Sequence, residues 1–297
     1  MGTSHIRPAF RRMLVCAACL LLLFTIAAQA ALSAAVVGAA EATEAVEIKN
    51  SSQILMPAPS GKKKATFQKA GVTIDYGNAS QGYVMIKHEE TDEGLKVRIT
   101  LGEMQYTYDL NGHNEFEVFP LQMGNGKYNI QIFVHVTGNY YDLLTERAIS
   151  VVLDDPYIAY LYPSQYVNYT AESRVVAKSN ALCEGLETDR EKVKAIYNFC
   201  GRRINYDYIF AIRPKKGYLP DVDSVLDARK GICFDYAALM ASMLRAQGIP
   251  TMLVIGYADR SYHAWNNVLV DGKWYRFDAT SVSASITASN YREERHY

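Results

Sequence analysis

The chain has 297 residues, of which 49% are hydrophobic and 21% charged, so it is long enough for two domains and too apolar to be disordered. Thirty-one basic residues balance 31 acidic ones, which leaves no basic excess of the kind that binds nucleic acid. Five cysteines over this length exclude a disulfide-built scaffold.

The first element is a leader. Arg7, Arg11 and Arg12 precede an uncharged apolar run from Met13 to Ala28, and Ala28-Gln29-Ala30 has the small-x-small form of a cleavage site. This is the anatomy of a secretory signal peptide over 1–30. An uncleaved anchor is the competing reading, although the Ala-rich stretch up to Ala40 makes a poor span. Loss of the first 30 residues removes three arginines and no acid, taking the formal charge from 0 to −3. The protein is therefore expected to be secreted, extracellular or at the cell surface, with membrane contact only through this segment if it stays uncleaved.

Residues 31–71 are polar, carry Pro57, Pro59 and Gly61 followed by Lys62-Lys63-Lys64, and read as a flexible linker. From 72 to 155 the pattern changes to about seven short alternating runs, among them Val72–Tyr76, Tyr83–Lys87, Leu95–Ile99 and Tyr128–Ile132. Turn signals stand at Asn111-Gly112 and Asn125-Gly126. The expectation is an all-β domain, an immunoglobulin-like sandwich. Tyr157, Tyr160, Tyr162, Tyr166 and Tyr169 then cluster where this domain meets the next, as amphipathic packing at a junction would.

The second domain spans 156–297. Thr170 is expected to open its first helix, and Thr188 with Glu191 forms a capping box for the next, whose Val193, Ile196, Phe199 and Ile204 face inward. From Cys233 to Gln247 the chain is almost all helix formers with little polar face, which predicts a buried helix. Gly248 ends it, with Pro250 just beyond. Cys233 thus sits in the first turn, where free N–H groups and the macrodipole favour an anion and activate the thiol.

Three strands follow: Thr251–Ala258, His263–Val270 and Lys273–Asp278. Asp271-Gly272 between the last two is a type I′ hairpin signal. That turn pairs Val270 with Lys273 and Leu269 with Trp274, and so on outward until Trp265 faces Asp278. His263 shares a face with Trp265, so His263 and Asp278 become diagonal neighbours, roughly 7–8 Å apart at the backbone. A one-residue slip would turn Asp278 to the other face. A thiol at a helix start, a base and a carboxylate to orient the base are the parts of an activated nucleophile. Outside the N-terminal apolar run there is no Cys-x-x-Cys pair, and there is no paired His spacing, so zinc fits poorly.

From about Thr188 to Thr280, a third of the chain, the sequence resembles a bacterial transglutaminase-like domain of the papain-like superfamily. The matching pieces include Ile204-Asn205-Tyr206-Asp207, Arg229-Lys230-Gly231-Ile232-Cys233-Phe234-Asp235-Tyr236-Ala237, Gly248-Ile249-Pro250, His263-Ala264-Trp265-Asn266 and Phe277-Asp278-Ala279-Thr280. The resemblance implies an α+β, papain-like fold, with Cys233 as nucleophile, His263 as base and Asp278 as orienting residue. It also implies acyl transfer or hydrolysis through a thioester on a protein or peptide substrate, cell-wall peptide included, with no cofactor and no metal. The alternative is a catalytically weak or inactive cell-surface binding module that keeps the fold. The sequence departs from the family at Ala279, where a proline usually follows the Asp. Only 19 residues follow Asp278, which leaves little chain for a further pocket wall.

Overall fold

The computed structural model describes residues 54–284 and 288–297. The leader at 1–30 and the first part of the linker lie outside the described residues. Among the described residues no helix is long and apolar enough to cross a membrane.

Eight strands build the β-domain: β1 (Thr66–Lys69), β2 (Val72–Asp75), β3 (Tyr83–His88), β4 (Leu95–Leu101), β5 (Met104–Leu110), β6 (Glu117–Pro120), β7 (Gly126–Thr137) and β8 (Tyr140–Val151). They form two four-stranded antiparallel sheets, β1-β2-β3-β6 and β5-β4-β7-β8. Alternation places Leu95, Val97 and Ile99 of β4 and Tyr128, Ile130 and Ile132 of β7 in the core. Ile74, Val84, Ile86 and Phe119 of the first sheet belong to the same apolar cluster.

This sandwich differs from expectation at one edge. Residues assigned to the linker already contain β1, which pairs with β2 through a tight turn at Ala70 (φ 52°) and Gly71 (φ 75°). That turn keeps β1 and β2 adjacent, and β3 follows beside them. Beyond that added edge the sheets interleave strands distant in sequence, β3 beside β6 and β4 beside β7, as the two sheets of an immunoglobulin-like sandwich do.

Helices and a third sheet make the second domain. The helices are α1 (Arg174–Cys183), α2 (Asp189–Arg203), α3 (Tyr208–Ile212), α4 (Val222–Ala228), α5 (Cys233–Ala246) and α6 (Thr280–Ser283). α1 starts four residues later than Thr170, because Asp223 Oδ2 and Oδ1 accept the first-turn N–H groups of Arg174 and Val175 at 3.0 and 2.8 Å. The Thr188–Glu191 capping box forms as expected. A two-stranded parallel ribbon joins β9 (Asn205–Tyr206) to β10 (Lys230–Gly231). The main sheet has the order β13-β12-β11-β14, from β11 (Thr251–Ala258), β12 (Ser261–Val270), β13 (Lys273–Phe277) and β14 (Tyr291–His296).

α5 lies between α1 and α2 on one side and β11 and β12 on the other, and every residue from Asp235 to Ala246 is buried. It ends in a Schellman motif: Gly248 takes φ 75°, its N–H bonds Arg245 O, and Ile249 N–H bonds Leu244 O.

The two domains share one core. Tyr297 stacks on Tyr166 at 3.8 Å and meets Tyr106 and Tyr108 of β5 edge-on. Gln165 exchanges two hydrogen bonds with the backbone of Asp109. Arg245, fully buried in α5, donates to the carbonyls of Tyr162, Thr251 and Tyr297. Burial pulls its pKa down to about 10, only partly offset by the tyrosines around it. Tyr160, Tyr162 and Tyr169 are buried here, so the tyrosine cluster is packing.

Candidate active site

The site begins at the N-terminus of α5. Ile232 is extended (φ −97°, ψ 177°) and Cys233 is the first helical residue, partly exposed. Asp235 Oδ2 accepts the Ile232 N–H at 2.8 Å and so caps the turn, while the Tyr218 hydroxyl donates to Oδ1 at 2.6 Å. Burial, partly offset by these two bonds, raises the Asp235 pKa. Gly231 is required by this cap, since a Cβ there would stand 2.6 Å from Asp235 Cβ. The β9–β10 ribbon pairs Gly231 with Tyr206 and so sets Tyr206 beside the thiol.

His263 comes from β12. The helix and strand are tied together by Asn266, whose amide donates to Ala237 O of α5 at 2.9 Å and to Met252 O at 3.2 Å. Asp271 (φ 50°) and Gly272 (φ 70°) make the two-residue turn, and the register runs Val270–Lys273, Leu269–Trp274, Val268–Tyr275, Asn267–Arg276 and Asn266–Phe277. One step further, Asp278 Oδ2 takes His263 Nε2 at 2.8 Å, with both side chains buried. The parity argument from sequence and the observed geometry coincide.

The carboxylate of Asp278 is held on all sides. Thr280 donates to Oδ1 from both its hydroxyl (2.6 Å) and its N–H (3.1 Å), and Tyr291 of β14 donates to Oδ2 at 2.8 Å. Burial alone would raise its pKa, but the bonds from His263, Thr280 and Tyr291 hold it below the usual carboxylate range. Burial would likewise lower the pKa of His263. The bond to Asp278 and the neighbouring Cys233 overcome this and raise it to about 9. Since Nε2 is committed to Asp278, Nδ1 is the ring nitrogen left for the thiol.

Cys233 and His263 both line an open cleft of about 420 Å³, walled by Tyr206, Ile232, Phe234 and Ile255, by Pro214, Lys215, Gly217 and Tyr218, and by Tyr262. Burial, then the adjacent Cys233, pushes the Tyr206 phenol upward, and the N–H of Cys233 faces its oxygen. Cys183 and Cys200 lie elsewhere, both buried.

Sequence reasoning missed three contributors. Tyr291 lies in the C-terminal residues that were expected to build no wall; instead they pair with β11 from Val254 to Ala258. Tyr218 and Tyr206 are polar tips on aromatic side chains far from Cys233 in sequence, and only the Tyr206-Asp207 match to the family pattern could have pointed to one of them.

The profile of the transglutaminase-like superfamily matches residues 177–279. The chain is 31% identical over 138 residues to human kyphoscoliosis peptidase, covering 42% of this chain and 20% of the relative. It is 31% identical over 104 residues to a protein-glutamine gamma-glutamyltransferase of Pseudomonas aeruginosa, covering 34% and 15%. The chain thus spans a fifth or less of the length of these curated relatives. Among solved structures it overlaps the periplasmic domain of TgpA from Pseudomonas aeruginosa (17% identity, 77% of each chain, TM-score 0.36). It also overlaps red sea bream transglutaminase (12% identity, 68% and 48%, TM-score 0.26). The likeness to the transglutaminase-like superfamily thus covers residues 177–279, about a third of the chain.

Proposed function

We propose that the protein is an exported thiol acyltransferase or amidohydrolase acting on the carboxamide or peptide bonds of a protein or peptide substrate. The observation that carries this reading is that Cys233 and His263 line one cleft, with buried Asp278 fixing the imidazole through the 2.8 Å bond.

The chemistry follows from the atoms. With Nε2–H donated to Asp278 and the pKa raised to about 9, His263 already holds the thiol proton on Nδ1, and the Cys233 thiolate Sγ attacks the substrate carbonyl carbon. A C–S bond forms and the carbonyl oxygen gains the charge. The Cys233 N–H, free at the start of α5, is the donor for that oxygen, and the Tyr206 hydroxyl on the same cleft is the candidate for a second. Collapse breaks the C–N bond, and Nδ1 returns the proton to the leaving amine. Water or a primary amine then attacks the thioester, giving up its proton to Nδ1, and the C–S bond breaks to restore the thiolate beside the protonated His263. The same residues serve hydrolysis and transfer, which differ in how far the cleft admits water.

Mass spectrometry of a peptide library incubated with the protein and a primary amine tests this. Amide loss, cleavage or amine incorporation that vanishes in Cys233→Ala supports the reading. An unchanged library, with a thiol inert to iodoacetamide, would make the protein a binding module.

Export rests on Arg7, Arg11, Arg12, the apolar run and Ala28-Gln29-Ala30. N-terminal sequencing should find a start near Ala31; an intact N-terminus in a detergent-extracted membrane fraction would mean a tethered enzyme.

A further inference from the structure

One wall of the cleft carries charge that no neighbour uses. Arg213, Lys215 and Lys216 follow α3 in a loop whose single acid, Asp221, lies at its far end, and all three are exposed. Lys215 lines the cleft itself, among side chains that are otherwise mostly apolar. Among the described residues none of the three is in an ion pair, whereas the nearby acids are all engaged. Asp207 pairs with Lys230 at 2.9 Å, Asp235 is consumed by Tyr218 and the Ile232 N–H, and Asp221 caps α4. Arg260 stands in the two-residue turn between β11 and β12, two residues before Tyr262, which also lines the cleft. Its neighbour Asp259 is occupied by Ser289 and Asn290, and Glu294 on the adjacent strand pairs with Arg292.

The loop is fixed rather than loosely draped. Tyr218 anchors its end through the 2.6 Å bond to Asp235, and its ring meets Phe210 edge-on at 4.9 Å. Gly217 at φ 71° allows the turn that brings Lys215 over the cleft, and the Tyr218 N–H closes it on Lys215 O. Beside it, Ile209 and Ile212 expose apolar surface that continues to Arg213 and Lys230.

We propose that this loop selects the substrate: the cleft takes a peptide acyl donor in which an apolar segment is flanked by acidic side chains. The proposal rests on the thiol-enzyme reading above and adds its substrate class. Apolar side chains fill the cleft near Cys233, and carboxylates meet the cationic rim formed by Lys215 with the neighbouring Arg213 and Lys216. Exposed charges of this kind act mainly on encounter and partner choice, and they weaken as salt rises.

Two peptide chloromethyl ketones with the same apolar core test it, one flanked by Glu and one by Lys. The readout is the rate of Cys233 alkylation by intact-protein mass, with each protein normalised to its own rate with neutral iodoacetamide. The Glu probe should react about tenfold faster at low salt, with the ratio shrinking as ionic strength rises. The variant Arg213→Glu/Lys215→Glu/Lys216→Glu should reverse the order. Equal normalised rates in the unaltered protein, independent of salt, would overturn the substrate proposal while leaving the thiol chemistry standing. A thiol inert to all three reagents would overturn both. The salt dependence of the unaltered protein decides the matter even if the triple variant fails to fold.

Discussion

Tyr291 donates its hydroxyl to the same oxygen of Asp278 that receives His263 Nε2, both at 2.8 Å. The C-terminal strand therefore reaches the site as a third layer behind the imidazole. Tyr291 also meets the Trp265 ring edge-on at 5.1 Å and lies under the Arg276 guanidinium, so its ring would stay in place without the hydroxyl. Tyr291→Phe should cost about 1 kcal/mol of stability and lower turnover about threefold to tenfold. With one donor fewer, the Asp278 pKa should rise and the acid limb of the rate profile should move to higher pH. Thermal melts and the pH dependence of Cys233 alkylation check this; an unchanged acid limb would mean the bond does not bear on the carboxylate.

The His263–Asp278 pair sets a pH window. The folded pKa of His263 is raised from 6.5 to about 9, so its contribution to stability is complete below about 6.5 and lost as pH climbs through 9. Asp278 is lowered from 3.8, so its contribution is complete above about 4 and lost as pH falls through the lower, folded value. Asp278→Asn keeps the size of the side chain and removes the charge. The gap in melting temperature between the unaltered protein and Asp278→Asn should therefore be widest between about pH 4 and 6.5 and narrow toward pH 9. Turnover should fall by orders of magnitude, and the basic limb should move down toward the ordinary histidine value. A basic limb that stays at 9 in the variant would detach it from this pair.

The three cysteines of the described residues offer a direct contrast. Cys200 is fully buried with its thiol pushed up to about 12, and burial raises Cys183 as well. Only Cys233 combines a helix N-terminus, a histidine and access from the cleft. Brief iodoacetamide treatment followed by peptide mapping should find label almost entirely on Cys233. Comparable label on Cys183 or Cys200 would remove Cys233 from its role.

What the sequence made legible was local. The type I′ turn at Asp271-Gly272 fixed the register that joins His263 to Asp278, and Gly248 marked the end of α5, because both signals lie within a few residues of their effect. The missing parts were edge strands and distant partners. β14 reads Tyr-Arg-Glu-Glu-Arg-His, and its charges mask a strand that exists because β11 offers it an edge. β1, at the end of a lysine-rich stretch, is hidden in the same way. The Tyr218–Asp235 bond joins residues 17 apart through a loop whose path no periodicity encodes.

Ala279, where the sequence departs from the family, gives the last prediction. Its φ of −69° is already the value a proline ring would impose, and it follows Asp278, which has left strand β13 without entering the helix. No backbone hydrogen bond from its N–H joins it to a neighbouring turn. The turn is held instead by the bonds of Thr280 and Ser281 to Asp278. Ala279→Pro should thus fit without strain and, by narrowing the unfolded ensemble, stabilise the protein by about 0.4–1 kcal/mol. Because the carboxylate is already fixed by Thr280, Tyr291 and His263, turnover should change less than twofold or so. Urea melts alongside the peptide-library assay measure both. A destabilised variant would show that the ring meets a neighbour, and a large gain in turnover would show that Asp278 is less firmly held than its four hydrogen bonds require.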